Sequence, residues 1–372
     1  MTPTAASPAA TGPAVRRLEV GAYTIATDAP ESDGTFSWDA TTVVVVEALA
    51  GDQRGLGYAY ADAAAARLIE GMLAGVVEGR DAMAVPGTWS AMVQAVRNAG
   101  RAGIASSAIA AVDIALWDLK ARLLGLPLAV LLGQVRDGVA IYGSGGFTSY
   151  DERRLQEQLA GWAEVGIAMV KMKVGRDPQR DPGRVAAARE AIGDGVELFV
   201  DANGAYDRKQ ALACAERFAQ AGVTWFEEPV SSDDLAGLRL LRDRAPAGMA
   251  IAAGEYGYAL EYFRRMLEAG AVDVLQADVT RCAGITELLR VGALCAAHEL
   301  PLSAHTAPSV HAHAGCAIEP LAHVEYFHDH VRVERMLFDG VLEPDGGRLV
   351  PDLSRPGLGL ELRRADAAPH AV

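Results

Sequence analysis

Two lysines, Lys171 and Lys173, interrupt the apolar segment VKMKVG. Strand side chains alternate between faces, so both ammonium groups point away from Val170, Met172 and Val174. Further along the chain, six more apolar runs end in polar or titratable groups: Asp201 with Asn203, Glu227, Glu255, Asp278, His305 and Glu325. From Lys173 onward these groups are 20 to 28 residues apart. One acid at a strand end is ordinarily a helix cap, and one lysine at a rim ordinarily snorkels to solvent. An ordered set at this spacing calls for a common cause.

The residue types fit one chemistry. Asp201, Glu227 and Glu255 offer an all-oxygen ligand set for a hard divalent cation, with Mg²⁺ the natural occupant. Alternation from Trp225 leaves open whether Glu227 or its neighbour Glu228 faces inward. Asp278 is placed to hold the tautomer of His305 and raise its basicity. Lys173, beside Lys171 and a dication, is expected to have a lowered pKa and to act as a base. Bases on two sides of a metal-held carboxylate suit proton abstraction from carbon, with the cation stabilising an enediolate.

Such groups need a scaffold that brings strand ends together. Apolar strands are read at 139–144, 168–174, 196–203, 224–229, 249–255, 273–278, 300–305 and 323–327, separated by stretches long enough for helices. Eight βα repeats imply a closed parallel barrel, whose C-terminal mouth collects the strand-end residues. Upstream, TTVVVVEALA (41–50) reads as a strand and GLGYAYADA (55–63) as its hairpin partner. SSAIAAVDIALWDLKARLLG (106–125) has helical periodicity and stops at Gly125, with Pro127 beyond. The chain of 372 residues exceeds what one core usually supports. We divide it into a disordered lead (1–15), an α+β capping domain (16–135), the barrel (136–340) and a C-terminal segment (341–372) that returns to the cap.

Composition excludes several classes. A net charge of −14 without a basic stripe opposes nucleic-acid binding. No run of 18 apolar residues suggests a membrane span. The four cysteines are scattered without C-x-x-C, which suits a reducing cytoplasm.

The ordered motifs VKMKVG, VDANGAY, WFEEPV, IAAGE, LQADVTRCAGITE and SAHTAP, followed by Glu325, resemble the enolase superfamily, and within it the mandelate racemase-like subgroup. The resemblance covers residues 16 to 363. It implies a (β/α)7β barrel, a modified TIM barrel, under an α+β N-terminal cap, with Mg²⁺ as obligatory cofactor. It selects Glu227 over Glu228 as the ligand beside Asp201 and Glu255. It implies Lys173 as one general base, Lys171 as its carboxylate-binding neighbour and His305–Asp278 as the opposite acid or base. Glu325 is implied as the acid that hydrogen-bonds the enediolate, with Asn203 as a substrate contact. Branches of the family with a lysine at the position of Asp278 are disfavoured. Ala283-Gly284 replaces the usual Gly-Gly.

The expected activity is dehydration of an acid sugar, an aldonate or aldarate, to a 2-keto-3-deoxy product. Racemisation of an α-hydroxy acid, cycloisomerisation of a sugar lactone and a non-catalytic protein retaining the fold are the alternatives. The expected partner is a small carboxylate substrate, and a homo-oligomer is expected. Residues 27–40 are expected to form the cap's specificity loop, and Trp38, Tyr58 and Tyr60 either cover substrate or belong to the core. His311 and His313 fall in a helix at a spacing that shares no face, so no zinc site is expected there. His323, His328 and His330 are expected at the surface.

Overall fold

The computed structural model describes residues 12–372. A three-stranded antiparallel sheet opens the chain: β1 (Arg17–Ser32), β2 (Ser37–Ala50) and β3 (Gln53–Tyr60), in that spatial order. The valine run of β2 is buried on both faces. Val43 and Val45 join the core shared with the barrel, while Val44 and Val46 face the cap's own helices. The helix Ile104–Leu124 covers this sheet and ends at Gly125, whose left-handed φ of 65° caps it.

Segment 27–40 is not a loop. It is the distal half of the β1–β2 hairpin, turning only at residues 33–36, with a register shift between Ala26 and Glu31. Asp33 Oδ1 accepts from the backbone N–H groups of Thr35 and Phe36, both at 2.6 Å, which fixes the turn. A Cβ on Gly34 would sit 2.5 Å from Ala202 O and 2.8 Å from Val174 O. Only glycine lets this tip rest on the barrel rim. Charge and turn residues in 27–40 masked its strand character.

The barrel strands are β4 (Val139–Gly145), β5 (Met169–Lys173), β6 (Glu197–Asp201), β7 (Val223–Glu227), β8 (Ala250–Ala253), β9 (Val274–Ala277), β10 (Leu302–Ala304) and β11 (Leu321–Phe327). Each pairs in parallel with the next, and β11 returns to β4, closing an eight-stranded parallel barrel. Tyr142, Phe199, Trp225, Ala252 and Val274 form a buried layer. His323 belongs with them: its ring lies 4.8 Å from that of Tyr142 and 5.2 Å from that of Trp225. Burial pushes its imidazole down to about 4. The surface placement expected for His323 was wrong. It stands two residues before Glu325 on one strand, and so shares its face.

Residues 1–11 of the expected lead lie outside the described residues. Val15 is buried, and its backbone pairs with Arg80 O and Gly79 N, each at 2.8 Å. At the other end, Arg348–Leu349 pairs antiparallel with β4, and Val372 N donates to Ala22 O of the cap at 3.0 Å. Among the described residues, no helix is long and apolar enough to cross a membrane.

Candidate active site

Strand register sets the site. Lys173 is level with Asp201, and Asp201 with Glu227, on three adjacent strands. Glu255 follows β8 by two residues. One carboxylate oxygen each from Asp201, Glu227 and Glu255 lies within 4.8 Å of the others, and all three residues are buried. Three acids so close repel one another in a low dielectric. Burial and Asp201 push Glu227 up to about 8 even though Lys171 and Lys173 oppose the shift. Oxygen donors carrying excess negative charge fit a hard divalent cation, so these residues suit Mg²⁺.

The lysines differ in their partners. Lys171 is fully buried, with Nζ 2.6 Å from Glu227 Oε1 and 2.8 Å from Glu325 Oε1. Lys173 donates to Asp201 Oδ2. The protein's own groups pull its pKa both ways. Burial and Lys171 do act downward, but Asp201, Glu255 and Glu227 outweigh them and hold the ammonium above its ordinary value. A cation held by those carboxylates would neutralise that upward pull, which is the condition under which a lowered pKa is expected.

Across the mouth, His305 Nδ1 lies 2.9 Å from Asp278 Oδ2. Its Nε2 faces Glu255 Oε2 at 3.2 Å and Glu325 Oε2 at 3.5 Å. Burial lowers the imidazole's pKa, but Glu255, Glu325 and Asp278 outweigh it and raise it to about 10. Asp278 itself is held well below the usual carboxylate range despite burial, chiefly by His305. Thr280 fixes its other oxygen through N–H and hydroxyl donors, both at 2.7 Å. Glu325 accepts from Ser144 Oγ at 2.6 Å and Thr306 N at 3.2 Å. Lys171 and His305 hold it down to about 2 against burial. Asn203 has a left-handed φ of 46° and a buried Oδ1 without a hydrogen-bond partner.

All nine candidate residues therefore gather at one mouth. Sequence reasoning gave Arg281 no role, although it stands three residues past Asp278. Its guanidinium lies 3.1 Å from Glu255 Oε1 and 3.6 Å from Asp278 Oδ2, joining the ligand set to the dyad. Of the adjacent acids, Glu227 joins the ligand triad; Glu228, also buried, leaves the strand at φ 37° and stays outside it.

The remaining histidines have other work. His311 Nδ1 bonds Thr306 O at 2.7 Å, and its Nε2 accepts from Val279 N at 3.1 Å, bracing the loops after β10 and β9. His330 is half-buried and stacks on Tyr60 with ring centres 3.3 Å apart, so it too was wrongly expected at the surface. Tyr58 is interdomain core, donating to Glu334.

The capped barrel and its ring of strand-end groups define a divalent-metal enzyme. Residues 24–133 match the model of the mandelate racemase/muconate lactonizing enzyme N-terminal domain, and residues 154–367 the enolase C-terminal domain-like model. The chain belongs to the mandelate racemase/muconate lactonizing enzyme family of the enolase superfamily. It is 34% identical over 317 residues to L-talarate/galactarate dehydratase of Salmonella typhimurium, covering 83% of this chain and 77% of that one. It is 35% identical over 315 residues to 3,6-anhydro-alpha-L-galactonate cycloisomerase of Streptomyces coelicolor, covering 83% and 85%. The crystal structure of a mandelate racemase/muconate lactonizing enzyme-like protein from Rubrobacter xylanophilus is 62% identical, with a TM-score of 0.95 over 97% of this chain and 100% of that one. A racemase from Streptomyces coelicolor with bound magnesium is 31% identical, with a TM-score of 0.90 over 96% and 100%.

Proposed function

We propose that this chain dehydrates an acid sugar, removing the proton α to the carboxylate and then the β-hydroxyl to give a 2-keto-3-deoxy acid. The observation that carries this reading is the placement of two proton-transfer groups on opposite flanks of the ligand triad. Lys173 on β5 lies on one flank of the ligand arc on β6, β7 and β8, and His305 after β10 lies on the other. Asp201, Glu227 and Glu255 would hold Mg²⁺, which would supply positive charge beside the substrate carboxylate. Lys173 would act as the base only after the charge of the neighbouring carboxylates is neutralised, which removes the pull that holds its proton; it then takes the α-proton. His305, charged and anchored by Asp278, delivers a proton to the departing hydroxyl. Lys171 would meet the substrate carboxylate, and Glu325, after taking up a proton, would donate a hydrogen bond to the developing enediolate. Asn203 would offer its unpartnered Oδ1 to a substrate hydroxyl.

The relative of Salmonella typhimurium, named as a dehydratase, supports this reaction type. The cycloisomerase of Streptomyces coelicolor favours a second reading on the same groups, with a sugar lactone as substrate. Four free, buried cysteines suit a cytoplasmic location, and we retain a homo-oligomer as the working assembly. The test is a panel of aldonates, aldarates and sugar lactones incubated with enzyme and Mg²⁺. Keto-acid formation from an aldonate or aldarate supports the reading. Inversion at the α-carbon with no keto acid from any acid sugar overturns it.

A further inference from the structure

A second group of side chains, distinct from the ligand triad at the mouth, has ligand geometry. Asp28 and Glu31 lie near the end of β1, and His328 opens the helix His328–Leu337 directly after β11. One ligand atom from each lies within 4.8 Å of the other two. Glu31 is 1% exposed. Its Oε2 accepts from Trp38 Nε1 at 2.8 Å, while its Oε1 is buried without a hydrogen-bond partner. That orphaned oxygen is a buried acceptor that a structure ordinarily satisfies.

The neighbours do not satisfy it. Asp329 is also acidic, and it takes both Arg332, at 2.7 Å, and the Thr41 hydroxyl. His328 Nε2 stands 3.2 Å from Asp28 Oδ2, and Arg154 reaches that same oxygen at 3.4 Å, leaving Asp28 Oδ1 to ligate. Asp28 and His328 are partly exposed, so the group opens to solvent.

We propose that Asp28, Glu31 and His328 form a second metal site, for a borderline divalent cation such as Zn²⁺. An imidazole nitrogen with two carboxylate oxygens is a zinc donor set, whereas the all-oxygen triad at the mouth suits Mg²⁺. The site joins cap to barrel. Ser32 Oγ already meets Thr148 Oγ1 at 2.6 Å, and Ser149 Oγ donates to Pro30 O at 2.7 Å, beside it on the same seam. A metal here clips the β1–β2 hairpin, whose tip rests on the barrel rim, to the end of β11. The consequence is a slower opening of the hairpin over the mouth.

The test is Zn²⁺ titration of the full chain in excess Mg²⁺, beside the His328→Gln and Asp201→Asn variants, with bound zinc counted after dialysis. His328→Gln alters a partly exposed side chain and is expected to fold. It should bind zinc at this site at least about tenfold more weakly than wild type, while Asp201→Asn keeps the site. Hydrogen exchange in residues 28–38 should slow on zinc addition in wild type and Asp201→Asn, and not in His328→Gln. Equal zinc affinity in wild type and His328→Gln overturns the proposal. So does wild-type zinc that Asp201→Asn abolishes, or wild type that binds no zinc while Mg²⁺ is in excess.

Discussion

His305 and Asp278 meet across neighbouring strand ends, with Nδ1 2.9 Å from Oδ2. The carboxylate occupies one ring nitrogen and leaves Nε2 for the mouth. If Lys173 starts the reaction and His305 expels the hydroxyl, His305→Asn should still exchange the substrate α-proton with solvent but form no keto acid. Deuterium uptake from D₂O into recovered substrate, run beside product formation, separates the two steps. Asp278→Asn should show the same split, more weakly. A His305→Asn enzyme with full dehydratase turnover removes the dyad from the mechanism.

Lys173 competes with a cation for Asp201, because its ammonium donates to a ligand oxygen. Lys173→Ala should therefore lower turnover by about 10²–10⁴-fold, the scale of a lost general base, without weakening Mg²⁺ binding. Calorimetric titration with Mg²⁺ beside steady-state rates tests this. Loss of metal affinity equal to the loss of rate assigns Lys173 to the metal site instead of to proton transfer.

The two acids of WFEEPV should separate cleanly. Glu227 is in the ligand triad and Glu228 is not. Glu227→Gln should weaken Mg²⁺ by at least about tenfold, and Glu228→Gln by less. The reverse order in a Mg²⁺ titration moves the ligand to Glu228.

The barrel and its mouth were legible because period-2 strands recur at a steady interval and each ends in chemistry, from Lys173 to Glu325. What escaped depends on departures from that regularity. The left-handed backbone at Glu228 ends the strand's alternation, and the acid beside the ligand Glu227 is buried as well. Arg281 lies on a turn after β9, where no periodicity points, and only the fold brings it to Glu255. The 27–40 hairpin reads as a loop because polar and turn residues interrupt the apolar alternation on both arms, although the arms pair with each other. His323 was the avoidable error, since its parity with Glu325 was visible in HVEYF.

Glu334 offers a test of the interface between cap and barrel. It is fully buried on the helix His328–Leu337, accepting from Tyr58 Oη of β3 and from Ser309 Oγ, both at 2.5 Å. Burial pushes its carboxyl up to about 7, with these hydroxyl donors opposing the shift, against an ordinary value of 4.5. The sign follows from proton binding. Between pH 4.5 and about 7 the folded chain keeps a proton that the unfolded chain releases, so stability falls as pH rises through that window. Below the window both states are protonated, and above it the deficit is constant. The gap between the two values corresponds to about 3 kcal/mol. Glu334→Gln stays neutral throughout, and its amide and the two hydroxyls can re-form the contacts. Its stability relative to wild type should therefore rise by up to about 3 kcal/mol from acid to neutral pH. Urea unfolding of both proteins at either end of the window, with Mg²⁺ held constant, gives the comparison. The other titrating acids are common to both chains and cancel in the difference. Parallel pH dependence in the two proteins shows that Glu334 ionises at its ordinary value inside the fold, and that the interface tolerates the charge.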